Sequence, residues 1–296
     1  MKKQTFSVIL LIVLSIIWGL GYIGVTDALN NSWGAFPILF LRTLIGAIVV
    51  FPFTIKKSYK SKKLFRVGLL IGVVSFFAYA FQTFGQSMTT VSATAFITSL
   101  YVIFVPIILR IIIKKKENWV IYLSCAIAII GCILLNLKLP LSFDTDNILG
   151  NILVFVGMIF FAMQIILIGK YSNELDVTQL TFIELVTICF MSLVGMSIIG
   201  DFSFHKEGLF NVIQVGVFSS GLCGLFQMYG QRNLSDTVSG IIMSLESLFG
   251  AVFAVLFFKE YLSWIQWVGC ALILLPVILC EVYVKREAKK EINDNL

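Results

Sequence analysis

The feature that most restricts this chain is the recurrence of apolar runs of nearly constant length. Ten of them fall at roughly 6–26, 34–54, 67–87, 91–112, 119–138, 149–169, 177–199, 209–230, 235–258 and 263–284. A helix rises about 1.5 Å per residue, so each run can cross a hydrocarbon core about 30 Å thick. Only 13% of the residues are charged and 59% are hydrophobic, whereas a soluble domain carries about 25% charged residues. The connections are short, and none could hold a soluble domain, so whatever this chain does it does within the bilayer. The opening MKKQTFSVILLIVLSIIWG looks like a secretory signal, but its apolar part is too long and no A-x-A site follows. It is read as the first membrane helix.

Charge sets the expected orientation. With the amino terminus in the cytoplasm, eighteen Lys and Arg fall on the cytoplasmic side. Lys138, Lys206 and Lys259 fall outside, and Arg42 lies within the second span. This asymmetry predicts both termini inside, in a multi-pass protein of the cell membrane, and the Lys-rich inner loops fit a bacterial plasma membrane. The net charge of +6 is therefore a topology signal and does not imply nucleic acid. Cys125, Cys132, Cys189, Cys223, Cys270 and Cys280 all lie in apolar segments without CxxC spacing, so small apolar fillers are expected rather than disulfides or a metal site.

The chain also repeats itself. A shift of 145 residues carries Gly85-Gln86 onto Gly230-Gln231, Ser99-Leu100 onto Ser244-Leu245, Trp119 onto Trp264 and Cys125-Ala126 onto Cys270-Ala271. Five helices per copy is an odd number, so the second copy enters the membrane from the opposite side. The expectation is an all-α membrane protein of ten transmembrane helices in two inverted five-helix repeats, residues 1–145 and 146–296, the second ending in a short basic cytoplasmic tail. Inverted repeats are a recurring design of secondary transporters, with the substrate site near the midplane between the halves.

Trp18-Gly19, Arg42 after an apolar run, and SLESLFGAVFAVLFFKEYLSWIQWVGCALIL at 244–274 carry a resemblance over essentially the whole chain. It resembles the drug/metabolite transporter superfamily, in its ten-helix EamA branch. Lys116-Glu117 and Lys259-Glu260 stand where that family usually has Gly-Glu. The resemblance implies that helices 1, 3, 4, 6, 8 and 9 line a central pathway while 2, 5, 7 and 10 are more peripheral. It also implies movement of a small metabolite, with export of amino acids or related compounds a common assignment.

The candidate site follows from polar residues in the spans. Glu246 sits near the middle of the ninth, beside small residues Gly240, Ser244, Ser247, Ala251 and Ala254 that share one helical face and invite close packing. Such an acid is costly unless it faces protein, water or a partner. It can bind a cationic or hydrogen-bonding group, exchange a proton, or simply pack. Under the repeat it meets Tyr101, so the two should face one cavity. Trp18 and Tyr22 lie four apart, and Tyr79, Gln82 and Gln86 share a face of the third helix. Trp18, Tyr22, Tyr79, Gln82, Tyr101, Gln164, Gln227 and Glu246 would form an aromatic, amide-rich substrate-binding cavity suited to a small polar solute with an apolar part, although each aromatic alone is also explained by lipid or core packing. Arg42 and Glu184 are expected to be gating or structural charges, Arg42 either anchoring a lid or pairing with Asp27, and Glu184 snorkelling toward the cytoplasm. His205 lies in an outer loop. Catalytic triads, metal-ligand spacing and phosphate-binding glycine loops are absent from the sequence, so neither enzymatic activity nor a cofactor is expected. Uphill movement would then use a gradient, with proton coupling or exchange. A non-transporting membrane sensor and a channel-like facilitator for a cationic solute are the other readings.

Overall fold

The computed structural model describes residues 2–57, 59, 61–111, 114, 118–136, 148–258 and 263–294. Its helices are α1 (Lys2–Asn30), α2 (Ala35–Val50), α3 (Lys62–Gln86), α4 (Val91–Ser99), α5 (Tyr101–Ile111), α6 (Trp119–Asn136), α7 (Ile148–Tyr171) and α8 (Val177–Ile199). There follow α9 (Leu209–Gln214), a π-helix (Val215–Leu222), α10 (Cys223–Gln231), α11 (Asp236–Met243), α12 (Leu245–Phe258) and α13 (Trp264–Asp294). Eight passages are long and apolar enough to cross a membrane, and Trp119–Leu134 and Trp264–Leu279 are shorter apolar helices. Large apolar side chains such as Ile48, Phe190 and Phe210 point outward, while Arg42, Gln82, Gln164, Glu184, Gln227 and Glu246 are buried. A polar interior inside an apolar shell is what lipid as solvent demands. This is a multi-pass membrane protein.

Contacts between connections sort the loops into two ends. At one, Asn233 Nδ2 donates to Ser7 Oγ (3.0 Å), Lys57 pairs with Asp176 (2.6 Å), and Lys63 pairs with Glu174. At the other, Trp33 Nε1 donates to the Glu207 carbonyl (2.7 Å), Asn211 Nδ2 to Asp27 Oδ2 (2.6 Å), and Thr89 Oγ1 to Asn151 Oδ1 (2.7 Å). The first end carries Lys56, Lys57, Lys62, Lys63, Arg66, Lys170 and Arg232 and is the basic end; the second is the far end.

Packing pairs come in related couples. α3 packs against α7 and α8, α4–α5 against α7, α2 against α8 and the π-helix, and α1 against α10 and α11–α12. Under the 145-residue shift, α3 on α7 corresponds to α10 on α1, and α3 on α8 to the π-helix on α2. The Gly-Gln dipeptides show the cause. A Cβ on Gly85 would stand 2.5 Å from Val154 Cγ2 of α7, and one on Gly230 would stand 2.5 Å from Leu11 Cδ2 of α1. Only glycine lets these helices approach so closely. The neighbouring glutamines then tie each copy internally: Gln86 Nε2 donates to the Tyr22 carbonyl (2.9 Å), and Gln231 Nε2 to the Ile165 carbonyl (2.9 Å).

Two helices read from the sequence as continuous, 91–112 and 235–258, each tighten into a single-residue turn, at Leu100 and at Ser244, one residue apart under the repeat and both with right-handed helical backbone. Their caps are equivalent: Thr90 Oγ1 accepts from the Ala93 N–H (3.2 Å) and Ser235 Oγ from the Val238 N–H (3.3 Å). At each turn a serine hydroxyl bonds back three residues, Ser99 to the Phe96 carbonyl (2.7 Å) and Ser244 to the Ile241 carbonyl (2.7 Å). Such back-bonds compete with the helical N–H groups for those carbonyls. Ser15 Oγ of α1, whose proton goes to the Leu11 carbonyl of its own helix (2.8 Å), also lies within bonding distance of the carbonyls of Ile242 (3.2 Å) and Met243 (3.3 Å). The second half-helices consequently begin at Tyr101 and at Leu245-Glu246, which fixes both functional candidates at mid-depth.

Candidate functional site

A cavity opens in the far half of the bundle, between α1, α2, α3, α4–α5, α11–α12 and the π-helix. Trp18, Tyr22, Tyr79, Gln82, Tyr101 and Glu246 line it. These are six of the eight residues expected to bind substrate. Space for water centres amounts to about 40 Å³, enough for a few ordered waters. The site is narrow in this conformation.

Its walls are mutually braced. Gln82 Nε2 donates to Thr98 Oγ1 (2.9 Å) and to the Tyr22 hydroxyl (3.3 Å), joining α3, α4 and α1. Tyr79 packs edge-on against Phe161 of α7, ring centroids 5.0 Å apart. Trp18 Nε1 donates to the Ser219 carbonyl (3.1 Å) in the π-helix. π-Helical turns shift the backbone ladder and often mark functional sites. This one also presents Ser220, whose Oγ accepts from Arg42 Nε at 2.9 Å. α2 comes close enough for that contact because Gly46 and Gly216 sit at the crossing: a Cβ on Gly216 would stand 2.8 Å from Ile45 Cβ.

Glu246 is only 2% exposed. Glu246 Oε1 and the Tyr101 hydroxyl are both buried without a hydrogen-bond partner. Buried polar atoms are normally satisfied, so this pair in the cavity wall carries unused bonding capacity. Arg42 stands over the Tyr79 ring, 4.8 Å from its centroid.

Three expectations are corrected. Gln164 and Gln227 lie apart from the cavity. Gln164 Nε2 donates to Glu184 Oε1 (2.8 Å), Gln227 Nε2 donates to Gln164 Oε1 (3.4 Å), and Ser75 Oγ also donates to Glu184 Oε1 (2.5 Å). Glu184 therefore does not snorkel; it is 5% exposed and anchors a second polar cluster in the basic half. Arg42 does not pair with Asp27, which takes Asn31 and Asn211 as partners, and it lines the cavity although its helix was expected to be peripheral. His205 is exposed, as its loop position suggests.

The sequence reading missed Ser219, Ser220, Thr98 and Phe161. One signal was available: Ser220 is the repeat counterpart of Ser75. The π-turn that aims it has no signature in an apolar run.

A polar cavity inside an apolar shell, lined from both copies of an internal repeat, points to a class, the membrane transporters built on such repeats. Comparison with known proteins gives the family: the chain belongs to the EamA-like transporter family, which matches residues 5–137 and again 148–281, and so to the drug/metabolite transporter superfamily. It is 28% identical to an uncharacterized transporter of Archaeoglobus fulgidus over 95% of this chain and 88% of that one. It is 19% identical to the uncharacterized transporter YcxC of Bacillus subtilis over 97% of this chain and 96% of the relative. A solved crystal structure shares the fold at 10% identity with a TM-score of 0.76, covering 95% of this chain and 98% of that one. The protein is a membrane transporter.

Proposed function

We propose that the protein is a secondary active transporter that moves a small polar metabolite, an amino acid or a related compound, outward across the plasma membrane by alternating access. In this reading residues 1–145 and 146–296 are inverted five-helix halves, ten spans in all, with both termini and the basic end in the cytoplasm. The loop contacts support this, because each joins segments that the charge count assigns to one side.

The observation that carries the reading is the relation between the two polar clusters. Gln82 of the cavity and Gln227 of the basic half are repeat counterparts, as are Ser220 and Ser75. Arg42 maps one turn from Glu184. One member of this couple is open toward a cavity; the other is closed by its own hydrogen bonds. A structure with a cavity in its far half and a hydrogen-bonded cluster in its basic half has a natural counterpart with the roles exchanged. The cavity's small size supports the same view, since a metabolite fits only if the halves move. Glu246, with its unbonded Oε1, is assigned to a cationic or hydrogen-bonding end of the substrate and to proton exchange, with Tyr22 and Tyr101 lining the same cavity. Trp18, Tyr79 and Gln82 frame the remainder, and the Glu184 cluster serves as the gate at the basic end.

The test is purified protein in sealed vesicles loaded with unlabelled amino acids and challenged with the same labelled compound outside. Saturable uptake with counterflow is expected. Binding without flux would leave a sensor, and flux that does not saturate would leave a channel.

A further inference from the structure

Building on the transport reading, we infer that Arg42 is the substrate's anion receptor and that full-strength binding requires a carboxylate. Arg42 is 5% exposed near the middle of α2. A guanidinium stays charged in proteins and offers five N–H donors in a planar fork. Ser220 Oγ takes the Nε donor, and the Tyr79 ring covers one face, which leaves the edge that carries the Nη donors for a ligand.

The neighbouring acids do not neutralise it. Among the described residues the ion pairs are Lys57–Asp176 and Lys63–Glu174, both at the basic end. Glu246 lines the same cavity without reaching ion-pair distance, Glu184 is bonded by Ser75 and Gln164, and Asp27 is bonded by Asn211. A cation buried in a membrane span without a counter-charge is expensive. Here it is held rigid by a serine and an aromatic face in a cavity wall, which is the arrangement of a receptor for a planar anion rather than of a packing contact. Carboxylates match the arginine fork bidentately. Glu246 lines the same cavity and supplies the complementary end: it accepts a hydrogen bond from, or is ionised beside, an ammonium group of the solute whose carboxylate Arg42 takes. Arg42 makes the contact; Ser220 and Tyr79 are positioning residues.

The experiment measures thermal stabilisation of the purified full-length protein, because ligands that bind the folded state raise its apparent stability. The probes are the standard amino acids, each with its amide and its decarboxylated amine, together with lactate and succinate. At least one carboxylate should stabilise the wild type, and its amide should bind about 10- to 100-fold more weakly. In Arg42→Gln that preference should fall to near unity, with amide binding unchanged. Arg42→Lys, which keeps the charge but loses the fork, should fall between, and Ser220→Ala should weaken carboxylates alone by a smaller factor. A wild type that binds amides or amines as well as acids, or responds to none of the carboxylates, overturns the assignment. So does an Arg42→Gln protein that loses acids and amides equally. The transport reading fails separately, when a stabilising carboxylate shows no counterflow in vesicles.

Discussion

The molecule buries two carboxylates at comparable depth, and they are treated in opposite ways. Glu184 is enclosed: Ser75 and Gln164 both donate to its Oε1, and Gln227 backs Gln164. Glu246 faces a cavity with Oε1 bare, opposite an equally unpartnered Tyr101 hydroxyl. An enclosed acid holds helices together, while an acid with open bonding capacity is poised for something that arrives. Burial alone does not separate the two roles, since the acids are 5% and 2% exposed. Satisfaction of the oxygen atoms does.

The largest expected effect comes from removing the enclosed acid. Glu184→Ala strands the Ser75 and Gln164 donors, and each orphaned buried group costs about 1–3 kcal/mol. The apparent melting temperature of the detergent-purified protein should drop by roughly 5 °C or more. Glu246→Gln should leave that temperature within about 1–2 °C of wild type while abolishing or sharply weakening counterflow. If the two substitutions exchange outcomes, the comparison is wrong. A smaller effect should come from Ser15→Ala, which removes a buried hydroxyl shared between the Leu11 carbonyl and the carbonyls at the α11–α12 turn at a cost of about 1 kcal/mol. That cost would be read as a modest loss of thermal stability with a change in transport affinity, because Glu246 follows the same turn.

The smallest effect concerns the clasp at the basic end. Partial burial works against ionisation of Asp176. The Lys57 ammonium, the Thr178 hydroxyl and the Gln179 N–H outweigh it and hold the carboxyl below its ordinary value. A folded-state value below the unfolded one, about 3.9, means stability that is present above that pH and lost as pH falls through the folded value. The pair is more than a third exposed, so solvent screening limits it to under about 1 kcal/mol. The melting-temperature difference between wild type and Asp176→Asn should therefore be small at pH 7 and shrink further as pH falls below the ordinary carboxylate range. A difference that grows on acidification would show that the clasp does not act through this carboxylate.

Much of the fold was legible because lipid imposes a blunt rule: a span must be apolar for its whole length, and such runs are visible in one dimension. The repeat was legible from Gly85-Gln86 and Gly230-Gln231, which recur because each glycine meets a neighbouring helix and each glutamine bonds a carbonyl. Six cavity residues were legible from spacing, since Tyr79 and Gln82 must share a face of α3. Gln164 and Gln227 were misplaced because a buried amide needs partners but does not reveal which ones. Only packing brings Glu184 within reach of Gln164.

By itself, then, the sequence determined the helices, their repeat, the polar residues that must face inward and the position of Glu246 near mid-span. Those properties depend on local composition and period. The tertiary structure alone decided that two helices tighten at Leu100 and Ser244, that a π-turn carries Ser220 to Arg42, and that one buried acid is closed off while the other stays open. The last two depend on partners contributed by a different helix, as Arg42 of α2 is to Ser220 and Gln164 of α7 is to Glu184, and no run of consecutive residues contains them.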